Sequence, residues 1–268
     1  MQKHLASITN ATTALGLTSA DKAKVTRLIG SASRMVYSVI LRPYLFRHTY
    51  SDVYDGTGRE RMVLRNWPVL SVDSLLVSGV PVPIAEGFGE SGYRLDHWDG
   101  FPPGTPQSLT LSGYSFCRGL TNVSVTYTAG YAVSNEAHTV SSAANYTVSA
   151  GSPFGTWAVD DGVAYADGSG LLTPVTASPA QGQYIVADGS YTFNSTDAGK
   201  PVLLSYSFIP ADIEEAVIDI ARALLDTDLT GNIKTLKAGD ATIERFGPSQ
   251  ISKDALSLLQ PYKSVLGI

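Results

Sequence analysis

The chain has 268 residues, 44% hydrophobic and 16% charged, with a formal net charge of −5, which is enough for one large or two modest globular domains and excludes a basic nucleic-acid footprint overall. Its one cysteine, Cys117, excludes an internal disulfide framework and is expected as a small buried hydrophobe. No run of about 18 apolar residues occurs, so no membrane span is expected, and the first twenty residues do not read as a secretion signal.

Residues 1–16 are small and polar and read as an arm or short helix. The pattern over 18–42 predicts a long amphipathic helix. Val25, Leu28, Ile29, Ala32, Val36, Val39 and Ile40 fall on one face at a 3.6-residue period, and Lys24, Arg27 and Arg34 fall on the other. Thr18 with Asp21 suits a capping box, and Pro43 stops the helix. From residue 44 the period changes to two. β-type segments are expected at 44–54 and 61–65 around the turn Asp55-Gly56-Thr57-Gly58, at 69–78, and at 122–128. Gly87, Gly89 and Gly92 form a formal G-x-G-x-x-G. The segment after Gly92, YRLDHWDGFPPG, cannot be a helix, so no dinucleotide site is read there.

Charge divides the chain further. Residues 1–131 hold 12 basic and 9 acidic side chains, whereas 132–208 hold Lys200 against six acids. That stretch is rich in small residues and reads as four to six short strands of a separate sandwich- or barrel-like module. A second helix is predicted over 211–229, with Pro210 before it and Asp212, Glu214 and Glu215 at its positive end. An extended segment at 239–246 and a short helical stripe at 251–259 end the chain. The expected fold class is therefore α+β: a helical core of two long helices with a β-sheet region, an inserted all-β domain at 132–208 and an extended C-terminal tail at 232–268.

Chemistry-bearing residues are sparse. The four histidines show no metal-ligand spacing. Asp96-His97-Trp98-Asp99 reads as a solvated loop around Trp98, and Asp160, Asp161 and Asp167 read as turn residues rather than a calcium site. No catalytic, cofactor-binding or metal residue is assigned, and no enzyme activity is expected. Were there one, Asp96 with Asp99 or Asp160 with Asp161 would be the first carboxylate pairs to test.

Taken in order, certain segments resemble a known family. A helix of the type LTSADKAKVTRLIGSASRMVYSVILRPY precedes the YDG turn and an L-x-x-x-P-V-x-S-V strand from Leu64 to Val72. TYTAGY (126–131), the helix start IPADIEEAV (209–217), KAGDATIERF and LLQPYKSVL come after these. This resembles the head–tail connector (adaptor) proteins of tailed bacteriophages over 1–131 and 209–268, with 132–208 inserted. The resemblance implies a virion structural protein at the head–tail junction, assembled in the bacterial cytoplasm. It implies a homo-oligomeric, dodecameric ring with a portal protein and a next neck or tail-completion protein as partners, and viral DNA passing through the lumen without sequence-specific binding. Subunit contacts are expected from Lys24, Arg27 and Arg34 against Glu214, Glu215 and Asp219 of a neighbour. Portal binding is expected from the tail, through Phe246, Ile251, Leu256, Leu258, Leu259, Tyr262, Leu266 and Ile268. Two other classes compete: a β-rich receptor-binding or adhesin module, and a virion hydrolase.

Overall fold

Strand outweighs helix, 39% to 26%, in a computed structural model that describes residues 4–87, 89–96, 107–230, 235–238, 241–244 and 251–264. The expected helical core of two long helices is thereby corrected: the described residues are mostly β, with four α-helices and several sheets among them. The reason lies in where apolar volume is buried. Trp67, Phe116, Tyr127, Tyr131, Tyr184, Tyr191 and Tyr206 are all fully buried and all belong to residues 44–208. The long helical stripe is the more legible signal, but the short alternating segments bury more.

The described residues divide into two compact units, one within 1–43 and 209–263, the other within 44–208. The first is helical: α1 (Ile8–Ala14), α2 (Lys22–Ile40), α3 (Ala211–Thr230) and α4 (Lys253–Leu259). Helix α2 is preceded by a 3-10 turn at Ser19–Asp21, where the Thr18 backbone N–H and hydroxyl donate to Asp21 Oδ2 at 3.1 and 2.9 Å. It ends at Leu41 in the left-handed region, φ 55°, two residues before Pro43. Val25, Leu28, Ile29, Ala32, Val36 and Ile40 are buried as the stripe predicts. Ser33 is buried as well, because its hydroxyl accepts the Leu5 N–H at 2.9 Å and anchors the N-terminal arm. Helices α2 and α3 pack on each other, α1 packs on α2, and α4 packs on α3. After α3, strands β15 (Thr235–Ala238) and β16 (Ala241–Glu244) form a two-stranded antiparallel hairpin. Their numbers follow the fourteen strands described between α2 and α3.

The second unit holds two cores. Strands β1 (His48–Gly56), β2 (Arg61–Val63), β3 (Val69–Val77), β4 (Val80–Pro81), β5 (Gly92–Leu95), β6 (Ser108–Ser112) and β7 (Gly119–Ala129) make two antiparallel sheets, in the orders β1-β7-β3-β4 and β2-β6-β5. They enclose Leu64, Leu75, Leu109, Val123, Val125 and Tyr127 among others. Gly92 opens strand β5 rather than a helix, as the rejected dinucleotide motif requires. A Cβ there would lie 2.5 Å from the Pro83 carbonyl oxygen, which accounts for the glycine.

Strands β8 (Ala132–Thr139), β9 (Thr147–Ser149), β10 (Gly155–Tyr165), β11 (Thr173–Pro174), β12 (Gln183–Ala187), β13 (Ser190–Phe193) and β14 (Pro201–Pro210) make the sheets β10-β14-β8 and β11-β12-β13-β9. These share a core of their own, built on Val163, Tyr184, Tyr191, Phe193, Leu204 and Tyr206.

Candidate functional site

Two of the segments singled out in the sequence, Leu64–Val72 and TYTAGY at 126–131, meet in the β unit. Strand β7 runs in register between β1 and β3, with Tyr127 opposite both Tyr50 and Val72. At its end Gly130 N–H donates to the Pro68 carbonyl at 2.9 Å, Tyr131 N–H to the Leu45 carbonyl at 2.8 Å, and Phe208 N–H to the Tyr131 carbonyl at 3.0 Å. Gly130 has φ 138°, and a Cβ on it would lie 2.4 Å from the Phe46 carbonyl oxygen. No other residue fits a backbone that is both left-handed and this closely approached. The WPV segment, the TAGY strand end and the last residue before the IPADI helix start therefore form a single hydrogen-bonded junction.

On the same sheet lies a polar cluster in which Tyr54, Asn66 and Tyr127 are buried and Asp52 is half-buried. The Tyr127 hydroxyl donates to Asp52 Oδ2 at 2.7 Å and the Tyr54 hydroxyl donates to the same oxygen at 3.2 Å. Asn66 Nδ2 donates to the Tyr127 oxygen at 3.0 Å, and Arg65 lies over the Tyr54 ring at 4.4 Å. Burial, reinforced by the nearby carboxylate, pushes the Tyr54 pKa up to about 12 and that of Tyr127 further up. Neither phenol is an acid–base group at neutral pH; both are neutral donors that hold a carboxylate. Sequence reasoning missed the cluster. Its signal was Tyr50, Asp52 and Tyr54 in the inward phase of an alternating strand, where a charge needs partners.

The expected carboxylate pairs are likewise engaged locally. Asp160 accepts from the Tyr184 hydroxyl at 2.5 Å, from Tyr191 at 3.2 Å and from Gly162 N–H at 3.1 Å, whereas Asp161 accepts from Ser207 at 2.7 Å. Both border an open cleft of about 300 Å³ with Val163, Leu171, Leu172 and Tyr184. Asp167 accepts the Ser169 N–H at 2.9 Å, and its hydrogen bonds to Ser169 hold its pKa below the ordinary aspartate value. Among the described residues, no three His, Cys, Asp or Glu side chains are grouped as a metal site would need. Asp96 pairs with Arg61 Nη2 at 2.8 Å and accepts from Ser108 and Thr110; His97, Trp98 and Asp99 lie outside the described residues. Cys117 is exposed rather than buried, because it falls in the turn between Phe116 and β7 and not in a strand.

The residues expected at subunit contacts have different surroundings. Arg27 and Arg34 are exposed and Lys24 is half-buried on α2. Glu215 is exposed on α3, and Asp219 pairs with Arg222 at 2.7 Å. Glu214 is buried and works inside its own chain: its Oε1 accepts the Ser7 N–H at 2.8 Å and Asn10 Nδ2 at 3.2 Å, tying the start of α1 to α3.

The tail residues divide in the same way. Leu259 and Tyr262 are buried in the helical unit, and the Tyr262 hydroxyl donates to Asp212 Oδ2 at 3.1 Å. Ile251 and Leu258 are half-buried, and Leu256 is 38% exposed. Phe246, Leu266 and Ile268 lie outside the described residues.

No protein-family model matches the chain, and no curated protein matches it.

Proposed function

We propose that the protein is a structural component of a bacteriophage virion, a head–tail connector that forms a ring beneath the portal and passes DNA through its lumen. The observation that carries this is the junction. Two segments of the resemblance, Leu64–Val72 and TYTAGY at 126–131, are joined by the Gly130 N–H to Pro68 carbonyl hydrogen bond, and Phe208, the residue before the IPADI segment, bonds to Tyr131. A single backbone hydrogen bond, Phe208 N–H to the Tyr131 carbonyl, closes the two ends of 132–208, which is compatible with its being an insertion.

Portal docking falls to the part of the tail that its own unit leaves open. Leu256, with Ile251 and Leu258 beside it, is the apolar surface of the α4 segment, whereas Leu259 and Tyr262 are committed internally. Subunit contact falls to Arg27 and Arg34 on one copy and Glu215 on the next. These charges set orientation more than affinity, in a closed assembly where one face meets a different face.

Two variants test this. Leu256→Asp is expected to lower co-sedimentation with the portal by roughly tenfold, since an apolar contact of this size contributes about 1.5 kcal/mol, with the thermal midpoint unchanged. The double change Arg27→Glu with Arg34→Glu is expected to weaken the ring and to reverse its salt response, because added salt then screens a repulsion from Glu215. Portal binding and ring mass identical to wild type in both variants would remove these two surfaces from the assembly.

A further inference from the structure

Strand β1 is the terminal strand of its sheet, in the order β1-β7-β3-β4. The two ends of that sheet differ. Strand β4 has two residues and ends on Pro81, the short, proline-bearing edge by which proteins prevent strand addition. Strand β1 has nine residues paired to β7 along its length, and its only register shift lies between Tyr54 and Gly56. It carries no lysine and no proline. Its outward residues Thr49, Ser51 and Val53 alternate with the inward ones, and Val53 is 44% exposed. Its inward charge, Asp52, is held by Tyr127 and Tyr54 of the same sheet and does not guard the edge. Asp55 and the register shift lie at its far end; the stretch from His48 to Tyr54 pairs regularly with β7 and is long enough to be a template for another strand.

The helical unit presents the converse. The hairpin β15–β16 is a sheet of two four-residue strands, paired directly from Thr235 with Glu244 to Ala238 with Ala241. A two-stranded hairpin is at best marginally stable alone and gains from a third strand. Among the described residues it joins no further strand. At about 3.4 Å per residue its strands are roughly 14 Å long and fit along the roughly 30 Å of β1.

We infer that the hairpin β15–β16 of one copy adds to the β1 edge of a neighbouring copy, extending the four-stranded sheet in trans. This rests on the connector assignment and specifies its subunit contact. The edge of one subunit meets a different element of the next, a heterologous contact that can close into a ring. It also gives the segment after α3 a role distinct from the α4 surface.

Hydrogen exchange on the full-length protein, free and assembled with portal, tests the pairing. Amides of residues 49–53 and of the hairpin are expected to slow by about tenfold or more on assembly. Val53→Lys, which places a charge on the edge at an exposed position, is expected to keep the thermal midpoint and lose that protection. Ile243→Pro, which breaks the hairpin ladder, is expected to lose it too. Assembled, portal-bound rings whose β1 amides exchange at the free rate would overturn the pairing and leave the connector assignment standing. So would Ile243→Pro rings with full β1 protection. A chain that never assembles, alone or with portal, would overturn both.

Discussion

The β unit solves one physical problem twice. In residues 44–131, Asp52 is gripped by the hydroxyls of Tyr127 and Tyr54; in 132–208, Asp160 is gripped by Tyr184 and Tyr191. Burial raises the pKa of all four tyrosines, so each clamp is a neutral donor pair around one charge. The regions differ in what else holds them. The first is tied through Asn66 and Gly130 to the junction that joins distant segments. The second, with Lys200 as its single lysine or arginine, has a separate lock. Asp197 is fully buried and accepts from Lys200 Nζ at 2.7 Å, from the Tyr165 hydroxyl at 2.7 Å and from Gly182 N–H at 3.1 Å. The first region is stabilised by backbone convergence, the second by one charge that joins three elements.

Breaking the convergence should cost most. Gly130→Ala combines a left-handed φ with a close carbonyl, and a loss of about 3 kcal/mol is expected in chemical unfolding. A wild-type midpoint would mean that the junction is looser than its hydrogen bonds indicate.

The lock of the second region comes next. Asp197→Ala is expected to cost about 2–3 kcal/mol by leaving Tyr165 and Lys200 without their acceptor. Burial opposes ionisation of Asp197, yet Lys200, Tyr165 and Gly182 hold its pKa below the ordinary aspartate value. The folded state therefore favours the carboxylate. Its contribution is present above the unfolded pKa of about 4 and is lost as pH falls through the lower folded value. If Asp197→Ala loses as much stability as wild type on acidification below about pH 4, the charge of Asp197 is not what locks this region.

The smallest effect is expected in the tyrosine clamp of the first region. Asp52→Asn keeps an acceptor for Tyr127 and is expected to cost about 1 kcal/mol. A cost as large as that of Asp197→Ala would erase the distinction between the regions.

These differences bear on what the sequence makes legible. Helices α2 and α3 were readable to within a few residues because a 3.6-residue stripe over five turns, a capping box and a proline beyond the end all agree for α2, and a proline and acids mark the start of α3. The strands were readable singly, as at 122–128, but not their partners, since pairing β7 with both β1 and β3 depends on contacts between segments distant in sequence. The weight of the fold was therefore misplaced: periodicity advertises a helix more loudly than it does a buried sheet. The candidate residues show the same limit. Glu214 and Glu215 are equivalent in sequence as acids at a helix start, yet one is buried on Ser7 and Asn10 and the other is exposed. Leu256 and Leu259 belong to one apolar segment, and only packing on α3 separates the exposed side chain from the buried one.

The proposed assembly with a portal is tested by the mass of the protein in solution, alone and mixed with portal. Light scattering on a size-exclusion column is expected to show the protein eluting with the portal at the mass of a closed ring of copies. A protein that remains a monomer of unchanged mass in the presence of portal would contradict it.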